Sequence, residues 1–364
     1  MYSEDRKALL ITYPNQFALS EAKSLAESAG YSIIEVISQK NLTRSRFGVG
    51  KGKAEEIKER VAALKPNVII FDEILKPSQQ YNLARLCKLD VLDREKLILE
   101  IFLNRAVTNE SKIQVKLAQL KYDIVRVKEK SRLAKLGEQP GFFGLGKYDA
   151  DVHILDIKKR TALLKKKLQA EEKKRALHRI QRLSDNLPLI SLTGYTSAGK
   201  TSLFNILSSE NKETSTKLFT TLTTFTRASE IEGRKVLVSD TIGFISKLPP
   251  YMIEAFKSTL SELNYANIIL LIIDFSDEVP VIKKKLKSSL EILSKLQIPF
   301  QKCILVLNKI DMVKNNEIKD KIMELNVNEN REQIIPISAQ MGYNLPGLKK
   351  LISKQLVNQP FTPI

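Results

Sequence analysis

The chain has 364 residues, 43% hydrophobic and 27% charged, with 59 Lys and Arg against 41 Asp and Glu, a net charge of +18. That length allows two or three domains, and the composition is that of a globular protein rather than a disordered one. The longest apolar run, Ile268–Ile273, is far too short to cross a bilayer. Nothing at the N-terminus reads as a secretory signal, and two isolated cysteines with two histidines exclude a disulfide framework and a zinc site. A reducing cytoplasmic setting is expected.

The first segment, 1–110, alternates short apolar runs with amphipathic stretches. Ala8–Thr12 reads as a strand, Ser20–Ala29 as a helix ended by Gly30, and Tyr31–Ile37 as a second strand. The helix Lys53–Leu64 and the strand Val68–Phe71 follow, then the helix Gln79–Lys88, the strand Val91–Leu92 and the helix Asp93–Phe102. A βα alternation of this kind predicts a small parallel-sheet α/β domain.

The second segment, 111–184, differs. Ile113, Leu117, Leu120, Ile124 and Val127 recur with a 3.5-residue period, the seam of a coiled coil. Residues 137–147 hold four Gly and one Pro, which no helix runs through. A second helix is expected over Asp151–Leu183, with Leu163, Ala170 and Leu177 on its seam. Together these predict a long antiparallel helical hairpin with a Gly-rich tip. The charge gathers here: residues 112–182 carry net +12, against +2 for 1–111 and +5 for 186–364. Such a local excess attracts polyanions. RNA-contacting candidates are Lys158, Lys159, Arg160, Lys165, Lys166, Lys167, Lys173, Lys174 and Arg175, with Phe142 and Phe143 at the tip to stack on unpaired bases. The plainer alternatives are a solvated helix face and two rings folded back onto the hairpin. An acidic membrane surface fits less well, because a polar tip with two Phe makes a poor wedge.

The third segment, 185–364, opens with the strand Leu187–Leu192 and alternates β and α to its end, with further strands at Val236–Ser239, Ile268–Ile273, Cys303–Leu307 and Ile334–Ile335. Gly194, Tyr195, Thr196, Ser197, Ala198, Gly199, Lys200 and Thr201 spell the G-x-x-x-x-G-K-T loop, followed by Ser202 in a predicted helix. Backbone N–H groups of such a loop cradle phosphates at a helix N-terminus. Lys200 is expected on the β- and γ-phosphates and Thr201 on Mg²⁺. Asp240-Thr-Ile-Gly243 places a carboxylate for the metal, through water, and the Gly243 N–H for the γ-phosphate. Asn308-Lys309-Ile-Asp311 offers a carboxylate to the paired donors of guanine, which adenine lacks. Ser338-Ala339 can close over the base. Phe219-Thr220-Thr221, in a Thr-rich stretch, lies where a first switch would bind Mg²⁺ through one threonine. Spacing alone leaves open which Thr serves. Phe244 stands where a Ras-type enzyme has its water-orienting Gln, so the catalytic residues expected are Lys200 and Gly243, and the water-positioning group must come from elsewhere. The motif set predicts a Ras-like P-loop domain that binds GTP.

Over nearly its whole length the sequence resembles the HflX-type ribosome-associated GTPases. The resemblance is carried by Gly50–Lys53, Phe71–Gln80, Val91–Arg94 and Gln114–Tyr122, together with Gly194–Thr201 and Asp240–Ile245. It implies GTP, GDP and Mg²⁺ as ligands, Thr221 as the first-switch residue, and the large ribosomal subunit with its rRNA as partner. Some members of that family split stalled or idle ribosomes. No DNA partner and no membrane anchor are expected, and a monomer is. Ser197 stands where the family carries an Asn tied to potassium-assisted hydrolysis, and Gly141–Ala150 replaces its usual tip sequence. The sequence ends soon after Ser338, so the extra C-terminal domain of some members is not expected. The rival reading is an RNA-binding or RNA-remodelling protein in which GTP regulates and turnover is negligible.

Overall fold

The computed structural model describes residues 6–43, 45–135, 147–184, 187–210, 218–219, 222, 224–256, 260–325 and 333–358. The chain forms two compact units, Met1–Ala170 and Glu171–Ile364.

The first unit contains β1 (Arg6–Thr12), α1 (Gln16–Ser28), β2 (Tyr31–Ser38), α2 (Lys51–Leu64), β3 (Val68–Phe71), α3 (Pro77–Cys87), β4 (Val91–Asp93) and α4 (Arg94–Arg105). Its sheet has the order β2-β1-β3-β4, with every pairing parallel. Leu9, Leu10 and Ile11 are wholly buried, because a parallel sheet is covered on both faces and its strands read as unbroken apolar runs. Helix α1 begins four residues before the sequence suggests, because Asn15 caps it by accepting from Ala18 N at 2.8 Å. Both cysteines are buried, one in each unit, as expected of free thiols.

Two long helices follow, α5 (Asn109–Lys135) and α6 (Lys147–Ser184). The first half of α5 packs on α3 and α4, burying Val115, Leu117, Ala118, Leu120 and Tyr122. Only Leu117 and Leu120 of the expected seam are fully buried; Ile113, Ile124 and Val127 are half-buried. The α/β domain, rather than a heptad seam, therefore claims that face. On α6 the less exposed stripe lies one residue from the expected seam. Leu163 is 56% exposed and Ala170 is exposed, whereas Ile157, Thr161, Leu164, Leu168 and Glu171 form the less exposed stripe. The period was legible, but adjacent Leu163 and Leu164 leave its phase ambiguous. The side chain of Leu177 and the tip residues 137–146 lie outside the described residues.

Asp93 joins α5 to the sheet. It ends β4 and caps α4, accepting from Lys96 N at 2.9 Å. It also accepts from Tyr122 Oη at 3.0 Å and Arg126 Nη2 at 2.5 Å, both on α5. Arg126 stacks 3.2 Å from the Tyr122 ring centroid and donates to Gln80 of α3 at 3.0 Å. Beside this knot, Asp72 accepts from Thr12 at 2.7 Å and from Arg94, which also binds Glu21. Burial raises the Asp93 carboxyl, and the Arg126 charge works against that rise.

The second unit contains β5 (Leu189–Gly194), α7 (Lys200–Ser208), β6 (Phe225–Ile231), β7 (Arg234–Asp240), α8 (Pro250–Ala255), β8 (Ile268–Asp274), α9 (Val279–Lys295), β9 (Cys303–Asn308), α10 (Asn315–Leu325), β10 (Ile334–Pro336) and α11 (Leu345–Asn358). The sheet order is β10-β9-β8-β5-β7-β6. All pairings are parallel except β6, which runs antiparallel to β7. The sequence reading places no strand at β6. This edge strand is mostly exposed and has no apolar run to announce it. Among the described residues no helix is long and apolar enough to cross a membrane.

Candidate functional site

Strand β5 lies between β8 and β7, where the strand order changes direction. Ligands of open parallel sheets bind at such a point, beyond the carboxyl ends of the strands. The loop 194–199 leaves β5 there and enters α7, with Lys200 as its first residue. The backbone of the loop is built for a tight curl. Gly194 has φ 137° and Gly199 φ 90°. A Cβ on Gly199 would stand 2.3 Å from Asn308 Nδ2, and one on Gly194 would stand 2.2 Å from the Ile272 carbonyl oxygen. Ser197 also takes a left-handed conformation, φ 62°. Left-handed positions set among right-handed ones are a feature of anion-binding backbone nests.

The other motifs converge on this edge. Asp240 ends β7 and is buried, and Thr201 Oγ1 donates to its Oδ2 at 3.2 Å. Asn308 ends β9 and ties two loops together. Its Nδ2 donates to the Ala198 carbonyl at 2.8 Å, and its Oδ1 accepts from Ala339 N at 2.9 Å. Ser338 is buried, with its Oγ accepting from Met341 N at 3.0 Å. Lys309 is paired with Asp274 at the end of β8, at 2.5 Å. Asp311 is exposed at the head of its turn. The sequence offered no hint of the Asn308 tie, because its partners are 110 and 31 residues away.

Lys200 is enclosed and donates to the Tyr195 carbonyl at 2.7 Å. Burial pulls its ammonium down to about 8, with Asp240 partly opposing the shift. A carboxylate and a hydroxyl side by side, Asp240 and Thr201, are the hard oxygen donors that Mg²⁺ takes. Among the described residues no group of three or more His, Cys, Asp or Glu could hold a metal alone.

The segment after Asp240 is stitched to the loop. Thr196 N donates to the Phe244 carbonyl at 2.8 Å, and Phe244 N donates to the Gly194 carbonyl at 2.9 Å. Phe244 is 1% exposed, so its ring serves the core and the site receives only its backbone. Phe219 is likewise buried, and Ser202 is half-buried on α7. Thr220 and Thr221 lie outside the described residues. So do Phe142, Phe143 and the side chain of Arg175. The other basic candidates on α6, Lys158, Lys159, Arg160, Lys165, Lys166, Lys167, Lys173 and Lys174, are all exposed. Two of them pair along the helix, Arg160 with Asp156 at 2.9 Å and Lys174 with Glu171 at 3.0 Å.

Three family models match the chain: "GTP-binding GTPase N-terminal" over residues 16–103, "GTP-binding GTPase Middle Region" over 105–182, and "50S ribosome-binding GTPase" over 189–309. The chain is 42% identical to a protein of Methanocaldococcus jannaschii named GTPase HflX, over 93% of this chain and 83% of that one. It is 35% identical to the protein of the same name from Escherichia coli, over 93% and 79%. A crystal structure of a GTP-binding protein from Sulfolobus solfataricus in complex with GDP is similar, with 29% identity, a TM-score of 0.51, and coverage of 97% of this chain and 99% of that one. A structure described as the SsGBP and GDP complex is similar with 28% identity and a TM-score of 0.55, covering 98% and 99%.

Proposed function

The chain belongs to the HflX family of GTPases, and from that premise we propose that it is a GTP-driven switch which docks on the large ribosomal subunit and its rRNA. Its reaction is GTP plus water to GDP plus phosphate. The observation that carries the reading is the convergence of four strand-end motifs on one edge of one sheet, around the loop 194–199.

In this reading the loop Gly194–Thr201 and the N-terminus of α7 hold the β-phosphate. Lys200 counters charge on the β- and γ-oxygens, and Gly243 N–H reaches the γ-phosphate. Asp311 and Asn308 read guanine, with Lys309 and Ser338-Ala339 flanking the base. Thr201, Thr221 and, through water, Asp240 would hold Mg²⁺, which supplies neutralisation of the phosphate charge when bound. With the Phe244 ring in the core, no side chain at that position orients the attacking water. Turnover is therefore slow alone and rises on the ribosome.

The exposed lysines of α6 are the electrostatic footprint for rRNA, with Phe142 and Phe143 stacking at the tip. The chain works as three parts: 1–110 and 111–184 reach the partner, and 185–364 switches. It acts as a cytoplasmic monomer and splits or rescues idle or stalled ribosomes. Binding to purified large subunits, measured with a non-hydrolysable GTP analogue and with GDP, tests the docking; no binding in either state overturns it. Single-turnover hydrolysis should accelerate when large subunits are added. A rate that stays near the uncatalysed background would instead make GTP a regulatory ligand. Gradient sedimentation of whole ribosomes with the protein and GTP tests splitting, and an unchanged whole-ribosome peak refutes it.

A further inference from the structure

Between the phosphate loop and the guanine motifs lies one strand end that neither supplies. The loop leaves β5, the motifs leave β9 and β10, and β8 runs between β5 and β9. Neighbouring strands are about 4.8 Å apart, so the step from β5 to β9 is about 10 Å. In a nucleotide the sugar separates the base from the phosphates. A nucleotide that fills both places must therefore carry its sugar across the end of β8.

Asp274 stands at that end, in register with Asn308 of β9. It is 8% exposed, and its two carboxylate oxygens have separate partners. Oδ1 accepts from Ser276 N at 3.1 Å and from Ser276 Oγ at 2.6 Å. Oδ2 accepts from Lys309 Nζ at 2.5 Å. Phe275 N donates to the Asn308 carbonyl at 2.8 Å, which ties the two strand ends together. Lys309 follows β9 directly. With its ammonium on Asp274, its aliphatic stem spans the ends of β9 and β8. The Lys309 side chain is 32% exposed. A lysine this open with no partner samples many rotamers, and ordering them when a ligand binds costs affinity. The ion pair orders this one beforehand.

We propose that Asp274 is a positioning residue for the nucleoside half of the ligand: it holds Lys309 across the end of β8, so that the lysine is already in place when sugar and base arrive. The inference deepens the GTPase reading above and rests on it. Asp274 acts through Lys309, and it acts equally on GDP and GTP, because the two share one nucleoside. Asp274→Asn keeps an oxygen for Ser276 and turns an amide N–H₂ towards Lys309, so the lysine is released while the turn after β8 keeps its bonds.

The test is equilibrium titration of the full chain with fluorescent GDP and with a fluorescent non-hydrolysable GTP analogue. Asp274→Asn should weaken both by the same factor, about three- to thirtyfold, the entropy of one freed lysine side chain. Lys309→Met keeps a long stem and removes the ammonium. In that background Asp274→Asn should weaken binding no further, since the partner it acts through is gone. Ser276→Ala removes the hydroxyl bond to the same carboxylate and should leave both affinities where they are. Unchanged or tighter binding by Asp274→Asn overturns the proposal. So does an undiminished loss in the Lys309→Met background, and so does a matching loss in Ser276→Ala, which would make Asp274 a support of its turn alone. If the wild-type chain binds neither nucleotide, the GTPase reading fails and this inference with it. Wild-type binding of both, unmoved by Asp274→Asn, sinks the inference alone.

Discussion

Lys200 holds its proton weakly because water is excluded around it and only one carboxylate, Asp240, offsets the burial. Phosphate oxygens would offset it much further. Nucleotide affinity should therefore be flat below pH 8, fall as pH rises through about 8, and be accompanied there by proton uptake. Calorimetric titration at pH 8.5 in two buffers of different ionisation enthalpy measures that uptake; equal heats in the two buffers would refute it. The sign for folding runs the other way. The unfolded chain keeps this proton up to about 10.5, so the lysine adds stability as pH climbs from about 8 towards 10.5. Lys200→Ala should abolish tight GTP binding altogether, and normal affinity in that variant would remove the loop from the site. Asp311 is exposed at its turn. Asp311→Asn should relax the preference for guanine, seen as a fall in the GTP-to-xanthosine-triphosphate affinity ratio of at least tenfold, because an amide presents a donor where guanine needs an acceptor.

At the scale of elements, the joint between the first sheet and α5 rests on Asp93. One carboxylate caps α4, binds Tyr122 and pairs with Arg126, with no exposed surface of its own. Removing one partner of such a pair strands a buried charge, which costs roughly 3–5 kcal/mol. Arg126→Ala should therefore destabilise the first unit by about that amount in chemical denaturation. The double variant Asp93→Asn with Arg126→Ala should lose less than the sum of the two single changes, because the charge is gone with its partner. Strict additivity would mean that the two side chains do not work together. The same joint explains why the apolar face of α5 follows α3 and α4 in its first half instead of a heptad seam.

At the scale of the whole molecule, the net charge of +18 is concentrated rather than spread. The lysines of α6 stand on exposed surface, where pairs with neighbouring acids are worth little. Reversing Lys165, Lys166 and Lys167 to Glu should weaken binding to large ribosomal subunits. It should also flatten the dependence of that binding on salt, because fewer counterions are released. GTP affinity should not move. Loss of nucleotide binding in this variant would show that this face supports the GTPase fold instead of a polyanion.

The strand ends that carry the motifs were readable from the sequence alone. The Gly194–Thr201 loop, Asp240, Asn308–Asp311 and Ser338-Ala339 each follow an apolar strand, because each needs a specific side chain at a strand end, and such a requirement is written in consecutive residues. The alternation of β and α, the length of the two long helices and the concentration of charge were legible for the same reason. Contacts between residues far apart in the chain were left to the tertiary structure. It decided which of Leu163 and Leu164 is the less exposed, and it placed a polar edge strand, β6, where no apolar pattern marks one. It turned Phe244 into the core, gave Asn308 its two loops to tie, and gave Asp93 its partners on α5. It set Tyr195 against Ser246, 51 residues away. Burial selects such pairings after the chain has collapsed, because a buried polar atom must find a partner wherever the fold brings one, and no spacing within the sequence records which partner that will be.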